Sequence, residues 1–173
     1  MADAVRIAEI TLIAEVVFIL ILLAAAASDV ITYRIPNYLV LALAAVFFIV
    51  AGIHYAQTNW LSHIGAALGC LVVGFALYQF RQMGAGDVKL LGAVALWAGM
   101  SGMIALLLFM SISGLLALPL ILFARFLVAK AQTENRWKWT VPRVLTKRQG
   151  VPYGVAIALG GILTVLVHPF TLG

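Results

Sequence analysis

The sequence predicts an all-α polytopic membrane protein, and three observations carry that reading. Hydrophobic residues make up 65% of the 173-residue chain and charged residues only 10%, with a mean hydropathy of +1.13. An average soluble domain is roughly half apolar and about a quarter charged. The apolar residues fall in runs near the roughly 17–25 residues that a helix needs to cross a bilayer. The basic residues, finally, crowd into alternate loops between those runs. Scarce charge excludes a disordered chain or a coiled coil, and a single cysteine, Cys70, excludes a disulfide scaffold.

Six spans are predicted, at about 7–27, 38–54, 61–80, 88–100, 102–124 and 151–167, within one transmembrane domain covering 1–173. The first is apolar except for Glu9, Thr11 and Glu15. The second opens directly after Pro36 and Asn37, with Pro36 as rigid punctuation and Asn37 as a helix cap. The third contains Cys70, read as a packing residue. Residues 88–124 carry one charge, Lys89, and are too long for one crossing; Trp97-Ala98-Gly99-Met100-Ser101-Gly102 offers small residues that divide the run. The triple alanine at 25–27 resembles a signal-peptidase site. Secretory signals need a positive flank, however, and here Asp3 opposes Arg6 before Glu9 and Glu15, so an uncleaved first helix is expected.

Charge sets the orientation. Arg34 follows the first span, Arg81 and Lys89 flank the third–fourth loop, and Arg125, Lys130, Arg136, Lys138, Arg143, Lys147 and Arg148 follow the fifth. Every lysine and arginine except Arg6 thus falls on one side, which the positive-inside rule makes cytoplasmic. Both termini then lie outside, in the periplasm if the source is a bacterium and the membrane its inner one. The net charge of +5 is accounted for by the bilayer, without nucleic acid. The basic loop 125–150, with Trp137 and Trp139, is expected to lie on anionic lipids, each basic residue contributing about 1 kcal/mol. His54, His63 and His168 fall at outer span ends and are read as interfacial. No CxxC, HExxH or Cys/His cluster occurs, so neither a metal nor a cofactor is expected.

Two acidic residues stand out. Asp29 is placed just past the first span and Asp87 at the start of the fourth, and two crossings between them return the chain to the same side. One reading makes Asp87 an N-cap and Asp29 a solvated turn residue. The other makes them a carboxylate pair, in which one acid keeps a proton while the other activates water for attack on a peptide carbonyl. Gly84 and Gly86 suit such a site by allowing close approach of backbone, helix and substrate. Lys89, two residues from Asp87, does not face it and either tunes the site or reaches lipid phosphate. Arg34 has the same two readings. Glu15 lies about 21 Å up the helix from Asp29 on nearly the same face, too far to join the pair. It is read as structural or pocket-lining.

These segments resemble a known family. Gly84-Ala85-Gly86-Asp87-Val88-Lys89-Leu90 is similar to the GxGD signature of type IV prepilin peptidases. Asp29 followed by Arg34-Ile35-Pro36-Asn37 resembles the family's first-aspartate segment, and Val151-Pro152-Tyr153-Gly154 its late Pro-Tyr-Gly motif. The resemblance implies that Asp29 and Asp87 are the catalytic pair of a six-helix aspartic endopeptidase working at the cytoplasmic face. Its substrate would be the short basic leader of a prepilin or pseudopilin. Larger members add a four-cysteine zinc motif and methylate the new N-terminus. With one cysteine and no such insertion, this chain resembles the short, peptidase-only branch of tight-adherence (Flp) pili, without methyltransferase activity. Two rival readings remain: a small ion-coupled transporter using the same acids, which predicts polar residues and broken helices at mid-membrane, and a non-catalytic assembly subunit of a pilus or secretion system.

Overall fold

A computed structural model describes residues 2–133 and 153–167. They form α1 (Ala2–Thr32), α2 (Asn37–Ile53), α3 (Trp60–Gln79), α4 (Ala85–Thr133) and α5 (Tyr153–Val167), with no strand among the described residues. The stretches Glu9–Thr32, Trp60–Gln79 and Ala85–Val128 are long and apolar enough to cross a membrane; Asn37–Ile53 and Tyr153–Val167 are shorter apolar helices.

α4 is two helices joined at Gly99, whose φ of 61° and ψ of −178° belong to a region essentially reserved for glycine. The break divides it into 85–98 and 100–133, inside the small-residue stretch where the sequence predicts a division. The Met100 N–H released there is taken by Ser62 Oγ at 2.9 Å.

Two boundaries differ from expectation. α1 continues to Thr32 rather than ending near 27, because nothing before Pro36 breaks it. Its last turn is tied off by Ser28 Oγ donating to the Arg34 carbonyl at 2.8 Å and Thr32 Oγ1 donating to the Ser28 carbonyl at 2.8 Å. The second half of α4 runs to Thr133 instead of 124, since 125–133 contain neither glycine nor proline. The start of the expected basic loop is therefore helix. Its remainder, with Trp137, Trp139 and most of its basic residues, lies outside the described residues, as does His168.

α4 is the hub, touching α2, α3 and α5, while α1 packs on α2 and α5. At the centre Phe18, Phe47 and Trp97 meet, with ring centroids 5.0 Å apart for Phe18–Trp97 and 5.7 Å for Phe47–Trp97. Trp97 Nε1 donates to the Leu43 carbonyl at 2.9 Å, which satisfies the one polar atom this cluster buries. α5 approaches α4 closely through glycine: a Cβ on Gly160 would lie 2.8 Å from the Met110 Cα. Small residues serve the same end in membrane bundles generally. Large apolar side chains such as Leu12, Leu20, Leu115 and Phe123 face outward. Apolar surface on that scale needs a cover, and lipid supplies it.

His54 and His63 stand at helix ends, as the sequence places them, and both are buried within the bundle. His63 Nδ1 donates to the Leu96 carbonyl at 2.8 Å, just before the α4 break, and its ring packs on Phe47. His54 closes α2, its carbonyl accepting from the Gln57 and Thr58 N–H groups. Cys70 fills space as expected, its Sγ 3.7 Å from Met103 Sδ.

Candidate active site

One end of the bundle gathers the end of α1, the end of α3 with the loop after it, and the starts of α4 and α5. Between them lies a cavity of about 540 Å³ lined by both Asp29 and Asp87. Asp29 is not in a solvated turn: it occupies the last turn of α1 and is 5% exposed. Asp87 is not an N-cap either. It is the third residue of α4, and its Oδ2 accepts from the Gly84 N–H at 3.2 Å, the backward half of a capping box. That bond turns the carboxyl back toward the loop and the cavity. The two acids are within electrostatic reach of each other.

The amino end of α5 completes the arrangement. The Gly154 N–H lies within reach of both carboxyl groups, and the Val155 N–H within reach of Asp29. The first N–H groups of a helix have no partner inside it and carry its positive dipole end, which favours a nearby carboxylate by about 0.3–1 kcal/mol. Gly154 must be glycine for this approach. A Cβ there would sit 2.6 Å from Asp29 Oδ2 and 2.9 Å from Ile35 Cδ1. Asp29 Oδ2 is itself buried with no hydrogen-bond partner. A buried acceptor left open at a cavity is a place where a donor, such as a protonated neighbouring acid or a water, is wanted.

The other residues singled out in the sequence divide. Gly84 lines the cavity and leaves room for Asp87, whose Oδ2 would be 2.8 Å from a Cβ at 84. Gly86 lies outside the cavity lining; a Cβ there would be 3.3 Å from Ile35 Cβ, so its smallness seats the α1–α2 loop against α4. Pro36 immediately precedes α2 in extended conformation, as punctuation would. Asn37 makes no cap bond: its Oδ1 accepts from Lys89 Nζ at 3.1 Å. Lys89 is thus engaged by α2, away from the acids, and latches the start of α4 to the start of α2. Glu15 is half-buried and engaged by a neighbour. Among the described residues no three His, Cys, Asp or Glu side chains gather as a metal-ligand set.

Seven lining residues escaped the sequence reading as site residues: Tyr33, Tyr78, Gln79, Arg81, Gln82, Met83 and Tyr153. Tyr33 and Arg81 also share a backbone peculiarity, with φ of 53° and 57°. Each ends a helix. Tyr33 N–H donates to the Asp29 carbonyl at 2.9 Å, closing α1 in a left-handed cap. Arg81 N–H donates to the Tyr78 carbonyl at 2.9 Å and Gln82 N–H to the Leu77 carbonyl at 3.0 Å, the Schellman pattern, at the end of α3. Glycine is the usual occupant of such positions; any other residue costs about 1–2 kcal/mol.

A sequence model of the type IV leader peptidase family matches residues 16–129, well over half of the chain and including both aspartates. No curated protein and no solved structure shows a significant match. With the apolar helices, the family match makes this a membrane protein and a peptidase: the chain belongs to the type IV leader peptidase family.

Proposed function

We propose that this protein is an aspartic endopeptidase of the bacterial inner membrane, which removes the short basic leader of a prepilin or pseudopilin at the cytoplasmic face. The observation that carries the reading is the convergence of Asp29 and Asp87, from the end of α1 and the start of α4, on one cavity. One acid, ionised, takes a proton from a water whose oxygen attacks the scissile carbonyl carbon. Its protonated partner donates to the carbonyl oxygen as charge develops there. Collapse of the tetrahedral species breaks the C–N bond, and the abstracted proton passes to the leaving amine. The α5 amino end stabilises whichever carboxyl carries the charge. A basic leader approaching two acids is also attracted over a distance.

Six spans, with α4 contributing two across Gly99 and both termini periplasmic, put the site on the cytoplasmic side, where an inserted prepilin keeps its leader. Among family members the short, Flp-type branch fits best, because Cys70 is the single cysteine of the chain. The transporter reading requires polar groups along a path through the bundle. What fills its centre is Phe18, Leu22, Phe47, Val94 and Trp97, all buried.

The test is cleavage of a Flp-type prepilin by the purified protein in liposomes, with the product's N-terminus read by mass spectrometry. A cut where the basic leader meets the apolar stretch supports the proposal. Folded protein that leaves the substrate whole overturns it in favour of an assembly role.

A further inference from the structure

Two further hollows open on the outside of the bundle. One, of about 490 Å³, is bordered by α2, α3 and α4, and the other, of about 530 Å³, by α3 and α4. They share Leu71 and so form one trough along the first half of α4. Helices α2 and α3 close over the end away from the acids, where the rings of Phe47 and His63 lie 5.1 Å apart and those of Phe48 and Trp60 6.4 Å apart. Ala44, Ala67 and Ala93 give the trough its depth, and Leu41 and Val72 stand exposed on its rims. The charged residue on its border, Lys89, is taken up by Asn37 at 3.1 Å, which leaves apolar side chains along the trough.

The other end of the trough meets the acid cavity. Tyr78, in the last turn of α3, lines both. The neighbours Gly84 and Ala85 line the cavity and the trough respectively, and Asp87 and Val88 divide in the same way. A chain held at the acids therefore reaches the trough within a few residues, at roughly 3.3 Å each when extended. The proposed substrate changes character at the scissile bond, from a basic leader to an apolar stretch. A cavity with two acids suits the first part. An apolar trough running from it toward the middle of the bundle suits the second, as hydrophobic grooves receive the apolar face of a peptide elsewhere.

We propose that this trough receives the apolar stretch of the substrate and so holds the junction with the leader against the acid pair. The inference rests on the proposed peptidase function. Its test compares wild type with Ala44→Phe and Ala67→Phe, which fill the trough, and with Ala45→Phe, whose position on α2 is exposed and outside the lining. Each is given a whole Flp-type prepilin in liposomes and a short peptide that ends just past the scissile bond. The two trough variants should raise KM for the whole prepilin by about tenfold with little change in kcat, and cut the short peptide as wild type does. Ala45→Phe should match wild type on both. Trough variants that handle the whole prepilin within about twofold of wild type would leave the trough to lipid alone and overturn the proposal. Equal losses on both substrates would place the damage at the acids and overturn it too. A photo-crosslinking amino acid decides the matter where the filled variants do not fold. In place of Val72, in the Asp29→Asn background that keeps the substrate whole, it should capture the apolar stretch of the prepilin. In place of Leu115, which is equally exposed on the outer face of α4, it should not, and equal capture at both positions would contradict a docking site. Wild type that cleaves neither substrate sinks the peptidase function itself, a result separate from these.

Discussion

The two ends of the bundle solve the same problem with different residues. At the end away from the acids, Asn59 caps α3 by accepting from the Ser62 N–H at 3.2 Å, and Ser62 Oγ receives the Met100 N–H. Thr58 Oγ1 donates to the His54 carbonyl at 3.0 Å, and among the described residues there the positive φ is carried by Gly99. At the acid end the positive φ values are carried by Tyr33 and Arg81. Each end buries atoms without a partner, but they are His54 Nε2 and Trp60 Nε1 at the far end and a carboxylate oxygen, Asp29 Oδ2, at the near one. The far end follows the rules for stable reversals. The near end departs from them around a cavity, as expected where a site is maintained at some cost to stability.

That contrast is open to attack by substitution. The largest effect is expected at the acids. Asp29→Asn or Asp87→Asn removes either the base or the proton donor and should lower cleavage by about 10²–10⁴-fold with folding preserved, checked by melting and expression. Next comes Gly154→Ala, whose Cβ would displace the Asp29 carboxyl or Ile35. A misplacement of about 1 Å is worth up to roughly 10²-fold, so kcat should fall well before the protein fails to fold. At the far end Gly99→Ala should do the reverse. It forces a glycine-only backbone conformation, with a Cβ 3.2 Å from the His63 ring and Ser62 Oγ. Stability should drop by about 1–3 kcal/mol while kcat/KM of the protein that stays folded is unchanged. Activity lost in parallel would mean that the two ends are coupled. The smallest effect belongs to Lys89→Met, which removes the bond to Asn37. An exposed contact of this kind is worth about 1 kcal/mol or less, so a small fall in melting temperature and near-normal cleavage are expected.

Hydropathy made much of the helical fold readable, because runs of apolar residues and their interruptions are local features. The α4 break was legible for the same reason, since Gly99 sits among small residues in a run too long for one helix. Counting crossings put Asp29 and Asp87 on the same side, and the family resemblance, not the count, implied that they pair. Most of what stayed hidden depends on contacts between distant segments. The end of α1 beyond Asp29 is the local exception, held by the Ser28 and Thr32 hydroxyls donating to the Arg34 carbonyl. The Lys89–Asn37 bond and the buried histidines each join residues from different helices or a helix and its reversal. Tyr33 and Arg81 were the hardest to see, because the usual sign of a left-handed cap is glycine and neither position has it. Gly154 was visible within a motif, but its role as the gap through which α5 meets Asp29 required coordinates.

The account stands on the two carboxylates acting as a unit, so the decisive measurement is prepilin cleavage by Asp29→Asn, Asp87→Asn and the double variant, side by side in liposomes. Groups that work as one machine lose nearly everything with the first deletion. Each single variant is therefore predicted to be as inactive as the double. Losses that multiply, or a single variant that still cleaves at a substantial fraction of the wild-type rate, would contradict a shared-proton pair and return that aspartate to the role of a structural acid at a helix end.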